Sequence, residues 1–209
     1  MADITPVVDA ADLAPWVRER ATGVDRFLLG IAGPPGSGKS TLAGRLGADL
    51  DAPVVPMDGF HRPNAELVAS GLRDVKGAPE TFDAPAFVEL VRALSDPNRT
   101  VRCPAFDRTT DEPVADLVTV TADDSVVIIE GNYLLLDRAP WSSLTGLLDA
   151  TAFLDVPPPL RIARLVARHV EFGRDRADAI DFAHGSDAAN AVLVEASRSR
   201  ADIIVRVDG

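Results

Sequence analysis

The sequence predicts an α/β protein of three layers, in which a central, mostly parallel sheet lies between helices. Short apolar runs alternate with stretches of helical periodicity. The later runs are rich in β-branched residues and lack polar alternation, as strands covered on both faces require. A glycine-rich segment joins the first apolar run to the first helical one, which sets the order strand, turn, helix.

Taken along the chain, "RFLLGIAG" (26–33) reads as a strand, "STLAGRLGADL" (40–50) as a helix, "APVVPMD" (52–58) as a second strand and "APAFVELVRAL" (84–94) as a helix. "SVVIIEG" (125–131), "ATAFLDV" (150–156) and "ADIIVRV" (201–207) complete a parallel core expected to hold five strands. Residues 59–124 are less regular. Pro63, Pro79, Pro85, Pro97, Pro104 and Pro113 punctuate them, and they read as an insertion over the edge of the sheet. Asp123 and Asp124, ahead of the third strand, read as turn residues. No internal repeat or linker divides the chain, so residues 1–209 are expected to form one domain.

Composition bounds the function. With 209 residues and 46% hydrophobic content the chain can build one sizeable core. Its 32 acidic against 21 basic residues give a net charge of −11, which argues against general affinity for nucleic acid or anionic membranes. Any bound anion must meet local positive charge. Cys103 is the single cysteine, so no intrachain disulfide can form, and the N-terminal stretch lacks the basic and apolar regions of a signal peptide. A cytoplasmic protein is expected. The longest apolar stretch, "SVVIIEGNYLLL", is interrupted by Glu130, Gly131 and Asn132 and falls short of the roughly 18 residues of a membrane span.

"GPPGSGKS" (33–40) fits the pattern G-x-x-x-x-G-K-[ST] between a strand and a helix, the context that pattern requires. A chance match would occur in roughly one such sequence in a hundred before context is counted. Gly33, Gly36 and Gly38, with Ser37 among them, let successive backbone N–H groups face phosphate oxygens at a helix N-terminus. Lys39 is placed to reach the β- and γ-phosphates, Ser40 to offer its hydroxyl to Mg²⁺, and Thr41 to meet the α-phosphate. The fold is therefore a P-loop NTPase fold. The guanine-reading Asn-Lys-x-Asp of GTPase switches is absent.

Ligands of a parallel sheet gather beyond the carboxyl ends of its strands, and Asp58 ends the strand after the P-loop helix. There it could serve as the base that a kinase needs to deprotonate an attacking hydroxyl. It could equally make an Asx-turn or cap the chain ahead of Pro63. Glu130 ends an apolar strand, where an unpaired charge is costly; a magnesium-associated role and a salt bridge at the sheet edge are the two readings. In "PPPLRIARLVARHVEFGRDR", Arg161, Arg164 and Arg168 fall at i, i+3 and i+7 on one helical face, with Ile162, Leu165 and Val166 on another. By spacing alone that face is a solvated one.

"GPPGSGKST", "MDGFHRP", "KGAPETFDAPAF", "PAFDR" and "VVIIEGNYLLL" together resemble, in order and spacing, the pantothenate kinase, uridine kinase and phosphoribulokinase superfamily and its compact bacterial members. The resemblance spans about residues 26–206. It implies ATP and Mg²⁺ as cofactors, Asp58 as the catalytic base and Glu130 as the Walker B-type carboxylate near Mg²⁺. It also implies a lid over residues 157–186, in which Arg164, Arg168 and Arg174 clamp phosphate oxygens; His169 and Phe172 depart from the usual lid pattern. Ser186, Asp187 and Asn190 lie in a stretch that would shape the site.

For the acceptor, Phe60, His61, Phe82, Asp83, Phe106 and Arg108 pair aromatic faces with polar groups, a combination suited to a hydroxylated small molecule. Core packing for Phe82 and Phe106, and a helix N-cap for Asp83, are the structural alternatives. Phe106 lacks the tyrosine hydroxyl of uridine kinases. Lys76 and Arg108 are candidate anion contacts. The three histidines and one cysteine show no zinc-ligand spacing. The expected activity is transfer of the ATP γ-phosphate to a hydroxyl of a nucleoside, sugar or pantothenate-like metabolite, with an ATPase or switch, or a kinase-derived binding module, as rivals. The expected partners are that small molecule and at most a second copy in a homodimer, with neither nucleic acid nor membrane.

Overall fold

The computed structural model describes residues 5–207. Six parallel strands form the sheet in the order β1 (Val7–Asp9), β8 (Ile203–Arg206), β7 (Ala150–Asp155), β2 (Phe27–Ala32), β6 (Val126–Gly131), β3 (Val54–Pro56). Five are the strands expected from sequence. The sixth, β1, is three residues long and half-exposed at the sheet edge, too short to show a period. A separate antiparallel pair, β4 (Val101–Asp107) and β5 (Glu112–Val120), lies within residues 59–124.

The β-branched strands are covered on both faces, as their lack of alternation requires. One face, with Leu29, Ile31 and Ile128, packs on α1 (Leu13–Ala21) and α2 (Lys39–Leu50). The other, with Leu28, Val127 and Ile129, meets α4 (Ala84–Leu94) through Phe87, Val91 and Leu94, and α7 (Ser186–Glu195) through Val194. So α4 belongs to a covering layer of the sheet. It is preceded by the short α3 (Asn64–Ala69). The remaining helices, α5 (Pro158–Glu171) and α6 (Arg176–His184), follow β7.

Register positions the chemistry. Ala32 lies opposite Gly131 across β2 and β6, and Pro56 opposite Glu130 across β3 and β6. The P-loop, Glu130 and Asp58 therefore emerge side by side at the carboxyl ends of three adjacent strands. At the other end, buried Arg26 donates to the carbonyls of Leu94 (3.2 Å), Asp96 (2.8 Å), Pro97 (3.0 Å), Asp124 (3.1 Å) and Thr121. Three of these lie at and just past the C-terminus of α4, where unpaired carbonyls concentrate negative charge. Asp124 makes the expected turn, its carboxylate accepting from the N–H of Thr121 at 2.6 Å.

Candidate active site

A cleft of about 1230 Å³ opens over the ends of these strands. At one end lies the P-loop. Gly36 and Gly38 take left-handed backbone angles (φ 76° and 92°), and Pro35, Gly36, Gly38, Lys39, Ser40 and Thr41 line the cleft. Gly36 has a second reason to be glycine, since a Cβ there would stand 2.6 Å from the carbonyl of Arg161 and 2.8 Å from Cγ of Leu165. Gly33 and Ser37 are buried and do not line the cleft. The Ser37 hydroxyl has no hydrogen-bond partner among the described residues.

Lys39 is buried, and its Nζ donates to Asn132 Oδ1 at 2.7 Å and the carbonyl of Pro34 at 3.2 Å. Burial lowers its pKa to about 8, against the pull of Glu130 and Asp58. Asn132 was read from the sequence only as a break in an apolar run, and the structure makes it the side-chain partner of the P-loop lysine. Its signal was present: a polar residue two places after Glu130, on the same strand end.

Ser40 Oγ donates to Glu130 Oε1 at 2.9 Å. Glu130 is in the sheet interior, between β2 and β3, and is no edge salt bridge. Burial and the negative charge of Asp58 push its pKa up, while Lys39 and Ser40 oppose this. The hydroxyl and carboxylate are the hard oxygen donors that magnesium takes. No group of three or more His, Cys, Asp or Glu among the described residues could hold a metal alone. The pair fits an ion that is completed by water and substrate phosphates.

Asp58 lies in the turn after β3, and its carboxylate meets Arg108 Nη2 at 3.4 Å. It caps no helix: α3 begins after Pro63 without a side-chain cap, which removes the capping alternative. Gly59 follows because β4 crosses there, leaving 2.4 Å between a Cβ and the carbonyl of Pro104. Burial works against ionisation of Asp58, but in the acid range where it titrates a protonated His61, with Arg108, Lys39 and Arg168, outweighs this and lowers its pKa.

Helix α5 crosses the P-loop. Arg161 donates to the carbonyl of Pro35 at 3.0 Å and Arg164 to that of Ser37 at 3.1 Å. Leu165, expected on another face, is buried beside them, because i+4 from Arg161 is the same face. Arg168 lines the cleft with no hydrogen-bond partner among the described residues, and Arg174 lies over the ring of Phe182 at 4.1 Å. His169 pairs with Asp187 of α7 at 2.7 Å.

The far wall gathers His61, Phe106, Arg108, Asp187 and Asn190, and Phe82, 2% exposed, backs it from the hydrophobic core, the packing role that was its alternative. Two expected acceptor residues are elsewhere. Asp83 accepts from the N–H of Ala86 at 3.1 Å as the N-cap of α4, and Phe60 packs edge-on against Phe87 with centroids 5.2 Å apart. Both border a separate, smaller groove. Lys76 is not free to bind an anion, because Asn64 Oδ1 (2.7 Å), the Asp111 carbonyl (2.6 Å) and the Asp111 carboxylate (3.1 Å) take its three protons. The "KGAPETFD" segment is held further by Tyr133, whose hydroxyl donates to the carbonyl of Gly77 at 2.5 Å. Ser186 does not line the cleft.

Residues 28–208 match the model of the Phosphoribulokinase / Uridine kinase family. A Schizosaccharomyces pombe protein named "Putative uridine kinase C227.14" is 35% identical over 220 residues, covering 95% of this chain and 93% of that one. The Escherichia coli protein YggC, uncharacterized, is 36% identical over 189 residues, covering 87% and 78%. Among solved structures, a "putative fructose transport system kinase" from Silicibacter sp. TM1040 superposes with a TM-score of 0.85 at 42% identity, covering 94% of this chain and 98% of that one.

Proposed function

The chain belongs to the Phosphoribulokinase / Uridine kinase family, and from that premise we propose that this ATP-dependent small-molecule kinase phosphorylates an alcohol, with Asp58 as its base. The observation that carries the reading is the position of Asp58. Its carboxylate shares one cleft with Lys39 and Glu130, caps nothing, and is kept ionised by Arg108, Lys39 and Arg168 around it.

The P-loop amides and Lys39 hold the triphosphate. Ser40 and Glu130 would hold a magnesium ion, which would supply charge neutralisation on the phosphate oxygens. Asp58 accepts the proton of the acceptor hydroxyl as its oxygen bonds to the γ-phosphorus and the bond to the β-phosphate oxygen breaks, releasing ADP. Arg168 and Arg174 face the same cleft and balance charge in the transition state. His61, Phe106 and Arg108 surround the acceptor.

The test pairs ATP consumption with mass identification of the product across nucleosides, sugars and pantothenate. Asp58→Asn should keep nucleotide affinity and lower kcat by roughly 10²–10⁴. Brisk ATP hydrolysis that no acceptor alters would put the ATPase reading in place of the kinase.

A further inference from the structure

The ring of His61 is held in one place and in one protonation form. His61 and Phe82 face each other in an antiparallel bridge. Hydrogen bonds from Arg62 N to the Thr81 carbonyl (2.9 Å) and from Asp83 N to the Phe60 carbonyl (2.8 Å) flank it. The imidazole lies against Phe82 and Phe106, with centroids 4.0 and 4.8 Å away. Its Nδ1 is 2.9 Å from the backbone carbonyl of Asp58. A carbonyl oxygen can only accept, so Nδ1 carries the proton. Burial holds the ring's pKa below the ordinary histidine value despite the pull of Asp58, so at neutral pH it has no second proton. Nε2 is then a bare lone pair without a protein partner among the described residues, in a side chain that lines the cleft next to Asp58.

The neighbouring groups include both acceptors and donors. Asp187 spends one carboxylate oxygen on His169. Lys76 is engaged by Asn64 and Asp111 and Arg73 by Asp111 at 2.8 Å, whereas Arg108 meets only Asp58 among the described residues, at 3.4 Å, and keeps N–H donors open to the cleft. We infer that His61 is a specificity-determining residue that accepts a hydrogen bond from a second hydroxyl of a polyhydroxylated acceptor, next to the hydroxyl that receives the phosphate. At Nε2 itself a carboxylate or phosphate oxygen would face a lone pair, whereas a hydroxyl can donate to it. The inference rests on the kinase reading above and narrows it to acceptors that present a second hydroxyl to Nε2.

Two measurements test it. In protein labelled with ¹⁵N at its three histidines, long-range proton–nitrogen correlation spectra identify the tautomer, with the His61 signals assigned by their loss in His61→Phe. A protonated Nδ1 and bare Nε2 at neutral pH are expected; a protonated Nε2 overturns the inference. The second measurement compares ATP-dependent phosphorylation of polyhydroxylated acceptors and of the same compounds lacking single hydroxyls. Removal of one particular hydroxyl should lower kcat/KM about 10- to 100-fold in the unaltered protein and less than about threefold in His61→Phe, with ATP affinity retained in both. An unchanged deoxy penalty in His61→Phe, or no penalty for any single missing hydroxyl in the unaltered protein, overturns this inference alone. Absence of transfer to every compound, with ATP hydrolysed regardless, removes the kinase reading and this inference with it.

Discussion

Raising the pH through the titration of Lys39 should weaken ATP binding. Lys39 is buried, its hydrogen-bond partners are the uncharged Asn132 amide and Pro34 carbonyl, and its pKa is lowered to about 8. Phosphate oxygens favour the charged ammonium, so ATP binds the protonated form and raises the pKa on binding. With a free-protein pKa of about 8, the protonated fraction is about 0.9 at pH 7 and about 0.09 at pH 9. Affinity should therefore fall about tenfold across those two units, or about 1.4 kcal/mol. Nucleotide phosphates finish ionising near pH 6 and contribute little in this window. Stability of the free protein should move the opposite way. Between about 8 and the unfolded lysine value, the unfolded chain binds the extra proton, so this group's contribution to stability rises with pH. Calorimetric titration of ATP from pH 6.5 to 9.5, repeated in buffers of different ionisation enthalpy, measures both the affinity and the proton taken up. Lys39→Met should bind weakly at every pH with a flat profile. A wild-type affinity constant within twofold from pH 7 to 9, or the same decline in Lys39→Met, would refute the assignment of this titration to Lys39.

Gly36→Ala should lower ATP affinity at least tenfold and reduce Tm. Left-handed backbone costs alanine about 1–2 kcal/mol, and the added methyl collides with the Arg161 carbonyl and Leu165; normal binding would mean that α5 does not rest on the loop. Asp83→Ala should cost about 1 kcal/mol, the usual worth of an N-cap, seen as a Tm lower by about 2–4 °C. Acceptor KM should stay within twofold, and a larger rise would return Asp83 to the acceptor site. Arg26→Leu should destabilise by about 3 kcal/mol, read by denaturant titration, because it strands the buried Leu94 carbonyl and several part-buried ones at once. A loss under 1 kcal/mol would show that water replaces the guanidinium there.

Much of the site was legible because the chemistry sits where local pattern is strongest. Strands covered on both faces betray themselves by runs such as "SVVIIEG", and the residues that end them, Asp58 and Glu130, follow from the rule that ligands bind beyond the carboxyl ends of parallel strands. The P-loop is read from eight consecutive residues because its work is done by its own backbone. Other features depend on pairs distant in the chain. Asn132 meets Lys39 across 93 residues, and Asp111 neutralises Lys76 across 35. His169 finds its carboxylate on another helix, and the His61 tautomer depends on how the chain turns back on Asp58. Aromatic and acidic residues in one segment looked alike in sequence, yet Phe106 reaches the cleft wall with Phe82 behind it, while Phe60 and Asp83 turn to α4. By itself the sequence determined the layered parallel sheet, the phosphate loop and the two strand-end carboxylates, since each is written in local periodicity or a contiguous motif. Only the tertiary structure decided which cations are already spent, which ring nitrogen is bare and which aromatics face the cleft, because burial and long-range hydrogen-bond partners set those properties and no local stretch encodes them.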